Sequence, residues 1–171
     1  MLWGDYMEYR TRKRIRCVGY DYNSAGSYFI SICTADRKRL LSRILLCGET
    51  AKVALTDYGR IAENQLLEMN ARYRHLHVDH YVIMPDHVHI ILTITDPTLC
   101  NASADMKNSV ISQFVGTFKR FTNTAYGHNI WQPRSNDHVI RNEKDYLTRW
   151  QYMDNNPLNW IITGKNGTID I

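Results

Sequence analysis

Apolar and polar positions alternate with a period of two in three stretches of the chain. In residues 27–34, Tyr28, Ile30 and Ile32 fall on one face and Phe29, Ser31 and Cys33 on the other. Such alternation, rich in β-branched and aromatic side chains, predicts a strand. Residues 75–84 set Leu76, Val78, His80 and Val82 on one side and His77, Asp79, Tyr81 and Ile83 opposite. Pro85-Asp86 then marks a tight turn, because proline suits the first central position of a type I turn. Residues 87–95 form the return strand, so 75–95 reads as a β-hairpin. A short apolar piece around Ile44 to Cys47, closed by Gly48, and the segment His138-Val139-Ile140 are shorter strand candidates.

Between these stretches the period changes to that of a helix. Thr56 is a plausible N-cap with Asp57 in the first turn, and Ile61, Gln65, Leu66 and Met69 recur at helical spacing through about Tyr73. Gly59 weakens that first turn. Residues 109–125 carry Val110, Phe114, Phe118 and Phe121 on one side, and Gly127 stops them. Asn142 caps a last helix through about Asn155, which Pro157 ends because the residue before a proline is pushed out of the helical region. Residues 1–26 read as a basic arm or lead-in, 96–107 as a loop and 161–171 as a tail, within one domain over 1–171. The order of strands and helices predicts an α+β sandwich, with helices on one face of an antiparallel sheet in a ferredoxin-like arrangement.

Charge adds a partner class. The formal net charge is +4, and the cations are clustered. Arg10, Arg12, Lys13, Arg14 and Arg16 crowd one stretch, Arg37, Lys38, Arg39 and Arg43 another, and Lys119-Arg120 a third. Clustered cations neutralise phosphates and attract nucleic acid. The four cysteines form no CxxC pair, so a zinc knuckle is not indicated. No apolar run approaches the roughly 18 residues of a membrane span, and no signal-peptide pattern opens the chain. These features predict a protein of the cytoplasm with free thiols, nucleoid-associated when bound to DNA.

Candidate chemistry concentrates on the return strand. His87, His89 and Ile91 share one face while Val88, Ile90 and Leu92 fill the other, so two imidazoles stand side by side. Imidazole is a common ligand of divalent metals, but two ligands leave such an ion short. Histidine-triad nucleotide hydrolases alternate three histidines with apolar residues, and Ile91 occupies the place of the third here. The last helix carries Tyr152 and Asn156 at i, i+4, on one helical face. An amide oxygen is a competent ligand for magnesium or manganese, and a tyrosine beside a cation can ionise and act as a nucleophile. With eleven tyrosines in the chain, spacing alone does not choose Tyr152.

Met84-Pro85-Asp86-His87-Val88-His89-Ile90-Ile91 resembles the histidine-hydrophobic-histidine (HUH) motif of single-tyrosine transposases. Trp131-Gln132, the run Asp137 to Glu143 and the run Tyr152 to Trp160 resemble the REP-associated tyrosine transposase branch, as does the stretch from Tyr20 to Thr34. The resemblance covers about Arg14 to Trp160. It implies an enzyme that nicks and rejoins single-stranded DNA near a short hairpin. Tyr152 then matches the nucleophile that forms a 5′-phosphotyrosine link, and His87, His89 and Asn156 match the ligands of a divalent cation, Mg²⁺ or Mn²⁺. Asn155 and His138 remain alternative ligands. His138 and Asp86 are also candidates for orienting a neighbouring group. The resemblance further implies a homodimer as one arrangement. Clustered charge points to DNA contacts at Arg10, Arg12, Lys13, Arg14 and Arg16 and at Lys119 and Arg120, while Trp131 is expected to pack in the core, with stacking on an unpaired base as its alternative. A non-catalytic nucleic-acid-binding protein of the same fold, and a phosphoesterase using water as nucleophile, are the alternatives.

Overall fold

The computed structural model describes residues 20–99 and 109–164. Its elements run β1 (Gly26–Cys33), β2 (Ser42–Cys47), β3 (Thr50–Leu55), α1 (Asp57–Arg72), β4 (Leu76–Met84), β5 (His87–Ile94), α2 (Val110–Tyr126), β6 (Asn136–Ile140) and α3 (Glu143–Ile162). Four strands form one sheet in the order β4-β5-β1-β6, and every neighbouring pair is antiparallel. With α1 between β1 and β4 and α2 between β5 and β6, this is the ferredoxin-like arrangement. Among the described residues no helix is long and apolar enough to cross a membrane.

The main core lies where the even-numbered face of β1 and β5 meets α1 and α2. Tyr28, Ile30, Ile32, Val88, Ile90 and Leu92 are each 0% exposed there, against Leu66, Phe114 and Phe118. The predicted caps at Thr56 and Asn142 form, and Ser109 adds a third. Thr56 accepts from the Gly59 N–H, Ser109 from Ser112 and Asn142 from Asp145. Gly59 is required for a reason the sequence does not show: a Cβ there would run into the carbonyl oxygen of Leu41.

Helix α3 departs from the expected layering. It packs on the opposite face of the sheet, through Met153 against Phe29 and Ile91, and through Trp160 against Ile44 and Met84. It also runs to Ile162, with Pro157 inside it, although Pro157 was expected to end it. Pro157 and Trp160 are both buried, so packing on the sheet and on the β2–β3 hairpin outweighs the missing N–H and holds the last turns helical.

Four further expectations change. The apolar piece at Ile44 is one arm of a two-stranded sheet whose partner β3 had no clear alternation, and Gly48 makes its turn at a φ of 61°. The alternation in β4 is broken by a bulge: Val78 pairs with Leu92 and His80 with Ile91, leaving Asp79 extra. One inserted residue reverses the faces. Tyr81 and Ile83 therefore join Leu76 and Val78 in the main core, while His80, Val82 and Met84 turn toward α3. Phe121 is 38% exposed beneath the Arg120 guanidinium instead of joining Phe118. Tyr20 and Tyr22, expected in the arm, pack on Tyr28 as part of the core.

Candidate active site

The Pro85-Asp86 turn is fixed from both sides. Leu41 N–H donates to the Pro85 carbonyl, and Thr34 N–H and hydroxyl both donate to the Asp86 carbonyl, each at 3.0 Å. His87 and His89 leave that turn on the α3 side of the sheet with ring centroids 4.4 Å apart, and both are buried. Strand register sets their neighbours, because Cys33 lies opposite His87 and Ser31 opposite His89 on β1.

Each ring is held through its Nδ1. His87 Nδ1–H donates to Asp86 Oδ1 at 2.5 Å, and His89 Nδ1 is hydrogen-bonded to Ser31 Oγ at 2.7 Å. A carboxylate can only accept, so in the neutral His87 ring Nε2 is the nitrogen carrying the lone pair. Burial, reinforced by His87 and Arg37, lowers the His89 pKa to about 3, so this imidazole is neutral at ordinary pH.

Helix α3 closes the other wall. The Tyr152 ring sits 5.5 Å from His89 and 6.0 Å from Phe29, with the side chain half-exposed. Asn156, one turn further on, is buried, and its Nδ2 has no hydrogen-bond partner. His87, His89, Tyr152 and Asn156 line one cleft of about 240 Å³. Among the described residues no three His, Cys, Asp or Glu side chains converge as a metal group, and Asn156 is the buried amide that lines the cleft beside the two histidines. Two imidazoles held through Nδ1 and the carbonyl oxygen of a buried amide form a donor set that fits a divalent cation accepting nitrogen and oxygen ligands.

The other candidate residues separate. Asn155 is exposed and does not line the cleft. His138 is outside it too: its Nε2 bonds Asp145 Oδ2 at 2.8 Å, tying β6 to the start of α3. Asp86, besides forming the turn, accepts from His87 Nδ1–H through Oδ1. Lys119 is not offered to phosphate as expected, because its ammonium is tied to the Gln132 carbonyl at 2.7 Å and to the Pro133 and Arg134 carbonyls. Arg120 is exposed on α2, across the sheet from the cleft. Trp131 is a core residue, 1% exposed, and its Nε1–H donates to Thr122 Oγ1. Arg10, Arg12, Lys13, Arg14 and Arg16 lie outside the described residues.

The cleft also contains residues that the sequence reading did not assign: Ser31, Arg37, Asn136, Asn159 and Trp160. Asn159 and Trp160 continue the helical stripe of Tyr152 and Asn156, which was hidden by ending the helix at Pro157. Arg37 belongs to the second basic cluster. It and Asp36 adopt left-handed φ values of 56° and 53°, a conformation that costs a non-glycine residue about 1–2 kcal/mol.

No model of a known protein family matches the chain. An uncharacterised protein of Haemophilus influenzae is 30% identical over 165 residues, covering 87% of this chain and 89% of that protein. A REP-associated tyrosine transposase of Escherichia coli K12 is 25% identical over 142 residues, covering 82% and 72% respectively. A putative REP-associated tyrosine transposase of H. influenzae is 24% identical over 163 residues, covering 88% and 77%. Among solved structures, a REP-associated tyrosine transposase bound to a REP hairpin shares the fold, with a TM-score of 0.57 and 24% identity over 79% of this chain and 68% of that one. Ferredoxin-like sheet, paired histidines and relatives together define a transposase-type, DNA-processing protein. Within that class, the named relatives and the shared fold support the REP-associated tyrosine transposases as the family this chain resembles.

Proposed function

We propose that this protein cleaves and rejoins single-stranded DNA at hairpin-associated sites, with Tyr152 as nucleophile and His87, His89 and Asn156 holding Mg²⁺ or Mn²⁺. The observation that carries this reading is the packing of Tyr152 against His89 in the cleft that also contains His87 and Asn156. The chemistry supplied by such an ion when bound is Lewis-acid polarisation of a phosphoryl oxygen. Tyr152 Oη, having lost its proton to solvent, attacks the scissile phosphorus. The bond from phosphorus to the 3′-oxygen breaks, that oxygen takes up a proton, and the 5′-phosphate stays on Tyr152. Because one phosphodiester is exchanged for another, a 3′-hydroxyl from another strand reverses the step and joins the DNA without an external energy source.

Tyr152 reaches histidines of its own chain, which supports cleavage in cis. The solved relative carries a REP hairpin, which supports a hairpin-bearing substrate. The test is covalent attachment of a labelled hairpin-bearing single strand to the protein in Mn²⁺ or Mg²⁺. Wild-type protein forms the adduct, and Tyr152→Phe forms none while keeping its fold. An adduct in Tyr152→Phe removes the nucleophile assignment. Strand cleavage without an adduct favours the phosphoesterase instead.

A further inference from the structure

We infer that Arg37 is the phosphate-binding residue of this cleft, its guanidinium taking a non-bridging oxygen of the DNA phosphodiester. The inference rests on the reading of the cleft as a single-strand DNA site and adds a contact that metal and nucleophile do not supply. A phosphodiester is anionic throughout, and among the described residues Arg37 is the one Lys or Arg that lines the cleft.

Its geometry is that of a held but unspent cation. Arg37 Nε pairs with Asp86 Oδ2 at 3.3 Å, and Nη1 donates to Cys33 Sγ at 2.8 Å. Nη2 has no partner among the described residues, and the side chain is 48% exposed. A guanidinium fixed along one edge presents the rest of its planar fork to an oxyanion, the arrangement in which arginine outperforms lysine. The carboxylate that fixes it also holds His87, with Oδ2 on Arg37 and Oδ1 on His87 Nδ1. One anchor therefore sets the separation between the cation and the imidazole.

The backbone is consistent with this placement. Asp36 and Arg37 are exposed, so burying either side chain does not offset their left-handed φ values. The turn is clamped on both sides, by Ala35 N–H to the Ile130 carbonyl at 2.7 Å and by the Thr34 hydroxyl to the Lys38 carbonyl at 2.7 Å. Strain imposed by its surroundings on an exposed arginine at a cleft is an outlier from which a functional role is properly inferred.

The test uses the full chain with Arg37→Ala and Arg37→Gly; glycine adopts the left-handed turn without strain and keeps the fold testable. In EDTA, binding of a hairpin oligonucleotide with single-stranded flanks is followed by anisotropy across salt concentrations. Loss of one phosphate contact lowers the slope of log affinity against log salt by roughly 0.7. In Mn²⁺, adduct formation slows about 100-fold, the usual cost of removing one donor to a developing oxyanion, while Mn²⁺ affinity measured without DNA is unchanged. A wild-type salt slope and adduct rate in both variants overturns the inference. So does a fall in Mn²⁺ affinity that accounts for the slower rate, since Arg37 would then only position His87. If wild-type protein forms no adduct but its salt slope still depends on Arg37, the cleavage reading falls and the phosphate contact stands.

Discussion

Ser31 Oγ and His89 Nδ1 lie 2.7 Å apart across the β1–β5 ladder, one residue on each strand at the same register position. This bond holds the His89 ring in its orientation. Groups that orient a metal-binding histidine typically contribute 10–100-fold in affinity. Ser31→Ala is therefore expected to weaken Mn²⁺ binding by about 10-fold or more, read by calorimetric titration of the DNA-free protein. Unchanged affinity would show that the bond does not serve a metal.

Side-chain burial on α3 favours Asn156 as the proposed third ligand. Asn156 is buried in the cleft with an unsatisfied amide, Asn155 is exposed, and His138 is committed to Asp145. Asn156→Ala is expected to weaken Mn²⁺ binding at least about 10-fold, whereas Asn155→Ala and His138→Ala leave it within about twofold. His138→Ala instead lowers stability by about 1 kcal/mol, through the lost tie between β6 and α3. A metal-binding loss in Asn155→Ala equal to that of Asn156→Ala would reverse the assignment.

Burial of His89 makes stability depend on pH in a defined window. Its pKa is about 3 in the folded protein, against about 6.5 for an unfolded histidine. Between these values the unfolded chain binds a proton that the folded one refuses, so stability rises with pH across the window and is lost as pH falls from about 6.5 toward about 3. The slope from this residue is at most about 1.4 kcal/mol per pH unit. Urea unfolding of wild type and His89→Gln at pH 7, 6 and 5 checks it. The two curves should converge as pH falls, and parallel curves would contradict the burial of a neutral imidazole.

Much of this fold was legible locally. The caps at Thr56 and Asn142, the Gly127 stop and the Pro85-Asp86 turn each rest on neighbours within a few residues, so the sequence contains the whole cause. The pairing of His87 with His89 on one face follows from the period of a strand, and that of Tyr152 with Asn156 from the period of a helix. The failures share a different origin. Asp79 bulges only because β4 is paired to β5, and α3 continues past Pro157 only because Trp160 has a pocket between Ile44 and Met84.

The sequence by itself determined the two halves of the site: a strand carrying two imidazoles and a helix carrying a phenol and an amide. Only the tertiary structure decided that α3 continues past Pro157 and packs on the sheet face opposite α1 and α2, and that Arg37 rather than Lys119 meets the cleft. The physical reason is range. Periodicity and capping act over one or two turns, whereas register, the face a helix covers and the partner an ammonium finds depend on residues tens of positions away, brought together by burial of the shared core.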